Sequence, residues 1–173
     1  GYYDLRMAEI REEQAQLARE AGIEGFCYWH YWFGNGKRLL EMPFNEVVNS
    51  GKPDFPFCLC WANHSWSNKT WQKDLSRKEA NTMIAEQKYL GEEDYKMHFN
   101  ELLPAFKDSR YITVDGKILF FVWDPMIPQM KEFIKVWRDL AIKNGFKGIH
   151  FVGMMYTASL KSNLSVEERI NKV

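Results

Sequence analysis

The chain has 173 residues, enough for one substantial core. Its 23 basic and 23 acidic side chains balance, which leaves no electrostatic case for nucleic acid or an anionic membrane as a partner. Aromatic residues reach 16%, seven of them Trp, and no apolar run approaches the length that spans a bilayer.

In chain order, Asp4 is placed to cap a helix over 4–21, with Met7, Ile10, Leu17 and Ala21 near one face and Gly22 as its stop. A buried strand follows over 23–29. It runs out abruptly into Tyr28-Trp29-His30-Tyr31-Trp32-Phe33 and then breaks at Gly34-Asn35-Gly36. A weaker helix over 38–49 has Pro43 near its start. Pro53 and Pro56 flank a strand over 57–61, which again runs out into Trp61-Ala62-Asn63-His64-Ser65-Trp66. A polar and aromatic loop leads to a short strand over 82–85.

The acidic residues of Gly91-Glu92-Glu93-Asp94 suit the positive end of a helix. Its apolar face is Tyr95, Phe99, Leu102, Leu103 and Phe106, with His98 placed on the exposed side and given no role. Asp115-Gly116 between β-rich runs predicts a type I′ hairpin joining 111–114 to 117–123. Met130, Phe133, Ile134, Trp137, Leu140 and Ala141 make an amphipathic helix closed by Gly145. A last strand covers 149–153, and a capping box at Ser165 opens a further helix.

Strands alternating with helices predict βαβ units and one parallel sheet, formed by 23–29, 57–61, 118–123 and 149–153. The hairpin strand is expected to be its only antiparallel element. The three cysteines, Cys27, Cys58 and Cys60, fall in predicted strands. They read as small buried core residues of a reducing compartment.

In parallel α/β folds the site lies at the carboxyl ends of the strands. Those ends carry His30, Tyr31 and Trp32; then Trp61, Asn63, His64 and Trp66; then Glu86; then Trp123 and Asp124; then Met154, Met155 and Tyr156. The amino ends offer Gly22, Pro56, Lys117 and Gly148, which look structural. Flat rings with polar edges suit sugars, whose C–H faces lie on aromatic rings while their hydroxyls take hydrogen bonds. Trp32, Trp61 and Trp66 are therefore expected to stack on sugar rings. His30, Tyr31, Asn63 and His64 are expected to bond hydroxyls, with Tyr156 beside them. Trp29, Trp61 and Trp123 also suit the plug of a barrel mouth. Glu86 and Asp124 are loose candidates for catalysis, short of a convincing carboxylate pair.

There is no GxGxxG, no P-loop, no HExxH and no nucleophile elbow, so no cofactor or metal is signalled. Two other readings stay open. One is a non-catalytic carbohydrate-binding module; the other is a metal-dependent hydrolase using His30 and His64.

The segments GIEGFCYWHYWFGNGKRLLE, FPFCLCWANHSW, IAEQKY, YITVDGKILFFVW and IPQMKEFIKVWR occur in this order. Together they resemble the WbsX-type proteins of bacterial surface-polysaccharide gene clusters. That family is labelled glycosyltransferase and is similar to glycoside hydrolase family 99, whose fold is a (β/α)8 barrel. The resemblance implies an α/β chain forming a partial TIM-type barrel, about strands 2 to 5, a single domain over 1–173 and a fragment of a longer chain. It implies glycosyl transfer or glycoside hydrolysis on a surface polysaccharide or its lipid-linked precursor. It also implies a bacterial, cytoplasmic setting, peripheral to the inner membrane at most, and leaves the oligomeric state open. The hydrolase relatives carry their essential glutamates in a late motif resembling NEW-x-EG, which has no match here. Where the family usually has WANE, this chain has His64 after Trp61-Ala62-Asn63, so a carboxylate is missing from that strand end.

Overall fold

The computed structural model describes residues 3–68 and 82–154. The first helix, α1 (Ala8–Glu20), leads into β1 (Phe26–His30), α2 (Met42–Ser50) and β2 (Phe57–Trp61). Two short strands, β3 (Trp66–Ser67) and β4 (Met83–Ala85), precede α3 (Glu92–Phe106). Then come β5 (Thr113–Val114), β6 (Lys117–Val122), α4 (Met130–Lys143) and β7 (Ile149–Gly153).

Strands β1, β2, β6 and β7 are parallel and lie side by side in chain order. The sequence alternation of β6 explains its burial: Ile118, Phe120 and Val122 are buried while the residues between them are not. The helices pack on the face that Ile118, Phe120 and Val122 share with Tyr28, Phe57, Leu59 and Trp61. The other face carries Cys27 and Trp29 of β1, Cys58 and Cys60 of β2, Leu119 and Phe121 of β6, and Trp123 beyond it. In the hairpin, Asp115 and Gly116 both take positive φ, 53° and 76°, as a type I′ turn requires.

Several expectations are corrected. Asp4 does not cap α1. It pairs instead with Arg6 at 2.6 Å, and Met7 takes the cap position without a side-chain bond. The buried face of α1 is Arg11, Ala15 and Ala18, while Met7 and Leu17 are exposed. The two alanines let the helix lie close on Phe26 and Phe55. Arg11 Nη1 donates to the carbonyls of Leu5 and Arg6, while Nε is buried without a partner among the described residues. Helix α2 starts at Met42 rather than 38, because Leu40 has φ 58° and Arg38 bridges back to Trp32.

Strand β4 does not join the parallel sheet. It pairs antiparallel with β3 as a separate two-stranded unit, so the 111–117 hairpin is not the sole antiparallel element. Cys27 is exposed rather than core, since β1 is an outer strand of the sheet. Tyr156, Met155 and the helix expected from Ser165 lie outside the described residues.

Candidate functional site

The residues after β1 and β2 divide between the two faces of the sheet. His30, Trp32, Trp61 and Asn63 go inward and are all at least 96% buried. His30 Nε2 lies 2.7 Å from His98 Nε2. The indole of Trp32 stacks flat on the His98 ring, with centroids 4.7 Å apart and planes within 1°. Trp61 and Trp137 meet the same ring edge-on at 5.1 and 4.8 Å. Each indole N–H is satisfied: Trp32 donates to Asp94, Trp61 to the Trp32 carbonyl, and Trp137 to the Tyr95 carbonyl.

His98 is thus the centre of an aromatic cage, not an exposed helix residue. Its spacing from Tyr95 and Leu102 puts it on the buried face of α3, a signal that the sequence contained. The imidazole contact needs one donor and one acceptor. His98 Nδ1 is buried with no hydrogen-bond partner among the described residues. A bare ring nitrogen is cheaper to orphan than an N–H, so the His98 proton sits on Nε2 and is donated to His30. Burial, then the Arg38 guanidinium, pushes the His30 pKa down to about 3. His98 lies well below the usual histidine value through burial, then His30, then Arg38.

Asn63 clamps two strand ends together. Its Nδ2 donates to the Asp124 carbonyl and its Oδ1 accepts the Asp124 N–H, both at 2.8 Å. The Asn63 carbonyl in turn accepts the Tyr89 hydroxyl at 2.7 Å. The clamp holds the turn after β6, so Trp123 and Asp124 stand beside His64.

That placement forms the open part of the site. Trp29, Tyr31, Ala62, His64 and Trp123 line a shallow cavity of about 120 Å³ at the carboxyl ends of β1, β2 and β6. Trp29, 47% exposed, meets Trp123 edge-to-face at 5.4 Å. His64 lies 6.1 Å from the Trp123 ring. Partial burial lowers the His64 pKa, and the Asp124 carboxylate opposes that shift. An apolar groove of about 470 Å³ along the outer edge of β1 shares Trp29 and Tyr31 with this cavity. It is larger and carries Arg11 and Gln14, but it follows the strand edge, whereas the small cavity sits at the carboxyl ends where parallel α/β folds place their sites. The small cavity is therefore the candidate site, and the groove is its approach.

The sequence-derived set is accordingly split. Tyr31 and His64 line the cavity, and Asp124 borders it. His30, Trp32, Trp61 and Asn63 lie behind it, without an open ring face or a free edge, and His30 and His64 do not share a surface. Trp66 is 9% exposed and packs on Tyr31 and Phe33, supporting the wall from behind. Glu86 follows β4, off the parallel sheet. It is exposed and pairs with Lys88 at 3.5 Å, beside a hollow shared with Phe33 and Lys37. Trp29 and Trp123 supply the exposed rings in place of Trp32 and Trp61. Strand alternation from Tyr28 and His30 marks Trp29 as the outward ring. Among the described residues, no group of three or more His, Cys, Asp and Glu is placed to hold a metal ion.

Residues 1–171 match the family model described as Glycosyltransferase WbsX. The chain belongs to the WbsX glycosyltransferase family. It is also 32% identical over 151 residues to a protein called "Uncharacterized protein WxcX" in two strains of Xanthomonas campestris pv. campestris. That match covers 87% of the chain but 21% of the relative, so this WbsX chain spans about a fifth of the curated relatives' length. A solved structure called "Glycoside hydrolase-like protein" superposes with a TM-score of 0.57 at 15% identity, covering 90% of the chain and 46% of that structure. At that identity the likeness concerns the fold. The family description is thus a glycosyltransferase one, and the likeness to the glycoside hydrolase-like structure extends to the fold alone. No described helix is long and apolar enough to cross a membrane.

Proposed function

We propose that this WbsX chain forms the sugar-binding wall of a carbohydrate-active enzyme, with the Trp29–Tyr31–His64–Trp123 cavity as its contact surface. The observation that carries this reading is the exposure of Trp29 against Trp123 at the carboxyl end of a parallel sheet. There an indole face is open to a pyranose ring, His64 and Tyr31 are at hand for its hydroxyls, and the Asp124 carboxylate is near enough to act on His64. Four parallel strands in chain order, with helices on one face, suit an arc of a (β/α)8 barrel in which the Trp29 face is the interior.

In this reading the substrate is a bacterial surface polysaccharide or its lipid-linked precursor, processed by glycosyl transfer or hydrolysis in the cytoplasm. Asp124 supplies one carboxyl group to the site. Glycosyl chemistry generally needs a facing pair, so the partner carboxylate comes from elsewhere in the full polypeptide.

The test is titration of a surface-polysaccharide oligosaccharide into the full-length polypeptide. Trp29→Ala removes one ring platform and is expected to lower affinity by about 1–3 kcal/mol. Unchanged affinity in Trp29→Ala and Trp123→Ala, with the fold intact by circular dichroism, would overturn the assignment.

A further inference from the structure

The three thiols occupy one patch of the open sheet face, directly beneath Trp29. Cys27 and Cys58 are register partners on neighbouring parallel strands, and Cys60 is the partner of Trp29. Tyr28 and Phe57 meet Phe44 of α2 and Trp61 meets Phe133 of α4, so strand alternation sends Cys27, Cys58 and Cys60 to the other face. Cys27 is exposed, Cys58 and Cys60 are buried, and none is in a disulfide. The neighbouring thiols, Cys58 first, hold the Cys27 pKa below the usual thiol value, while Cys60 Sγ lies 3.5 Å from Met154 Sδ.

We propose that Cys27 and Cys58 form a peroxide-oxidisable pair that closes a reversible disulfide between β1 and β2. Partners on adjacent strands stand about 4.8 Å apart, inside the Cα separation of about 4.4–6.8 Å that a disulfide bridges. Cys60 is diagonal to Cys27, at about 7–8 Å, and falls outside that range. Register therefore selects Cys58 as the resolving thiol. The Cys27 thiolate attacks one peroxide oxygen, the O–O bond breaks, and hydroxide leaves with the electron pair, giving Cys27 sulfenic acid. Cys58 sulfur then attacks Cys27 sulfur; its proton and the departing hydroxyl form water. Two thiols are oxidised and one peroxide is reduced to two waters.

A relaxed disulfide holds its Cβ atoms about 3.8 Å apart, closer than in-register side chains on neighbouring strands. The bridge therefore draws β1 toward β2 and carries strain, and strained disulfides are the readily reduced ones. This inference is independent of what the cavity binds, and it requires that Cys27 stay open to solvent when the full polypeptide is folded.

The experiment treats reduced, folded full-length polypeptide with a small excess of hydrogen peroxide, blocks remaining thiols with N-ethylmaleimide, and maps peptides by mass spectrometry. The expected result is a Cys27–Cys58 linked peptide, lighter than the reduced pair by two hydrogens and lost after dithiothreitol. Cys60→Ser retains that link. Cys58→Ser abolishes it and leaves Cys27 as a dimedone-reactive sulfenic acid. Three outcomes would overturn the proposal: Cys27 still fully labelled by maleimide after peroxide, a link from Cys27 to Cys60, or links between chains only. Cys27 closed to maleimide in the folded polypeptide before oxidation would overturn it as well.

Discussion

The buried His30–His98 pair makes folding stability depend on pH in a calculable way. Both imidazoles are held neutral in the folded chain, with His30 pushed down to about 3 and His98 well below its usual value. In the unfolded chain both take up protons near pH 6.5. Below that pH the unfolded state binds more protons than the folded state, so stability falls with falling pH and recovers above it. From about pH 7.5 to about pH 4.5 each histidine contributes a loss of about 2.7 kcal/mol, or about 5 kcal/mol for the pair. That is a large share of the 5–15 kcal/mol typical of a whole domain.

Carboxylates with lowered pKa values, such as Asp108, begin to contribute their own losses only below about pH 5. A Cys27→Ser background removes the thiol whose lowered pKa would add to the slope, so the window above about pH 5 belongs to the imidazoles. The assay is urea unfolding followed by tryptophan fluorescence across this range, in a His64→Gln/His150→Gln background that leaves the buried pair as the only imidazoles. The limiting slope is about 2.7 kcal/mol per pH unit. His98→Gln keeps a side-chain donor for His30 Nε2 and removes one titrating ring, so the slope halves. A flat profile, or a slope unchanged by His98→Gln, would show that the pair is not buried and neutral as described.

Three further outcomes are expected. Trp61→Ala, unlike Trp29→Ala, is expected to cost about 3–5 kcal/mol of stability, as core Trp truncations do, read as a fall in the urea midpoint. Asn63→Ala strands the Asp124 N–H and carbonyl and is expected to cost about 2–4 kcal/mol, while displacing Trp123 and weakening oligosaccharide binding in calorimetry. Gly153→Ala places a Cβ 2.8 Å from two carbons of the Pro125 ring, so it pushes on the turn that carries Asp124. It is expected to lower the melting temperature by an amount corresponding to about 1–3 kcal/mol.

Local chemistry was sufficient for much of the architecture. The Asp115-Gly116 turn, the stripe of Phe133 and Trp137 on α4 and the run of β2 depend on neighbours in the chain, and each lies where the sequence put it. The choice of face was not local. Strand β2 is buried at every position, so alternation gave no sign that Trp61 faces the helices and Cys60 the open side. Strand β4 is a short apolar run that suits any sheet, and only its pairing with Trp66 and Ser67 removed Glu86 from the site. The burial of His98 could be read from its spacing, but its pairing with His30, which is 68 residues away, could not. The sequence by itself determined the order of the parallel strands and of the helices between them, and the richness of aromatic residues at the strand ends. The tertiary structure alone decided which rings stay open to a ligand, because that depends on which face of the sheet the helices cover, and burial is a property of the assembled sheet and not of any one strand.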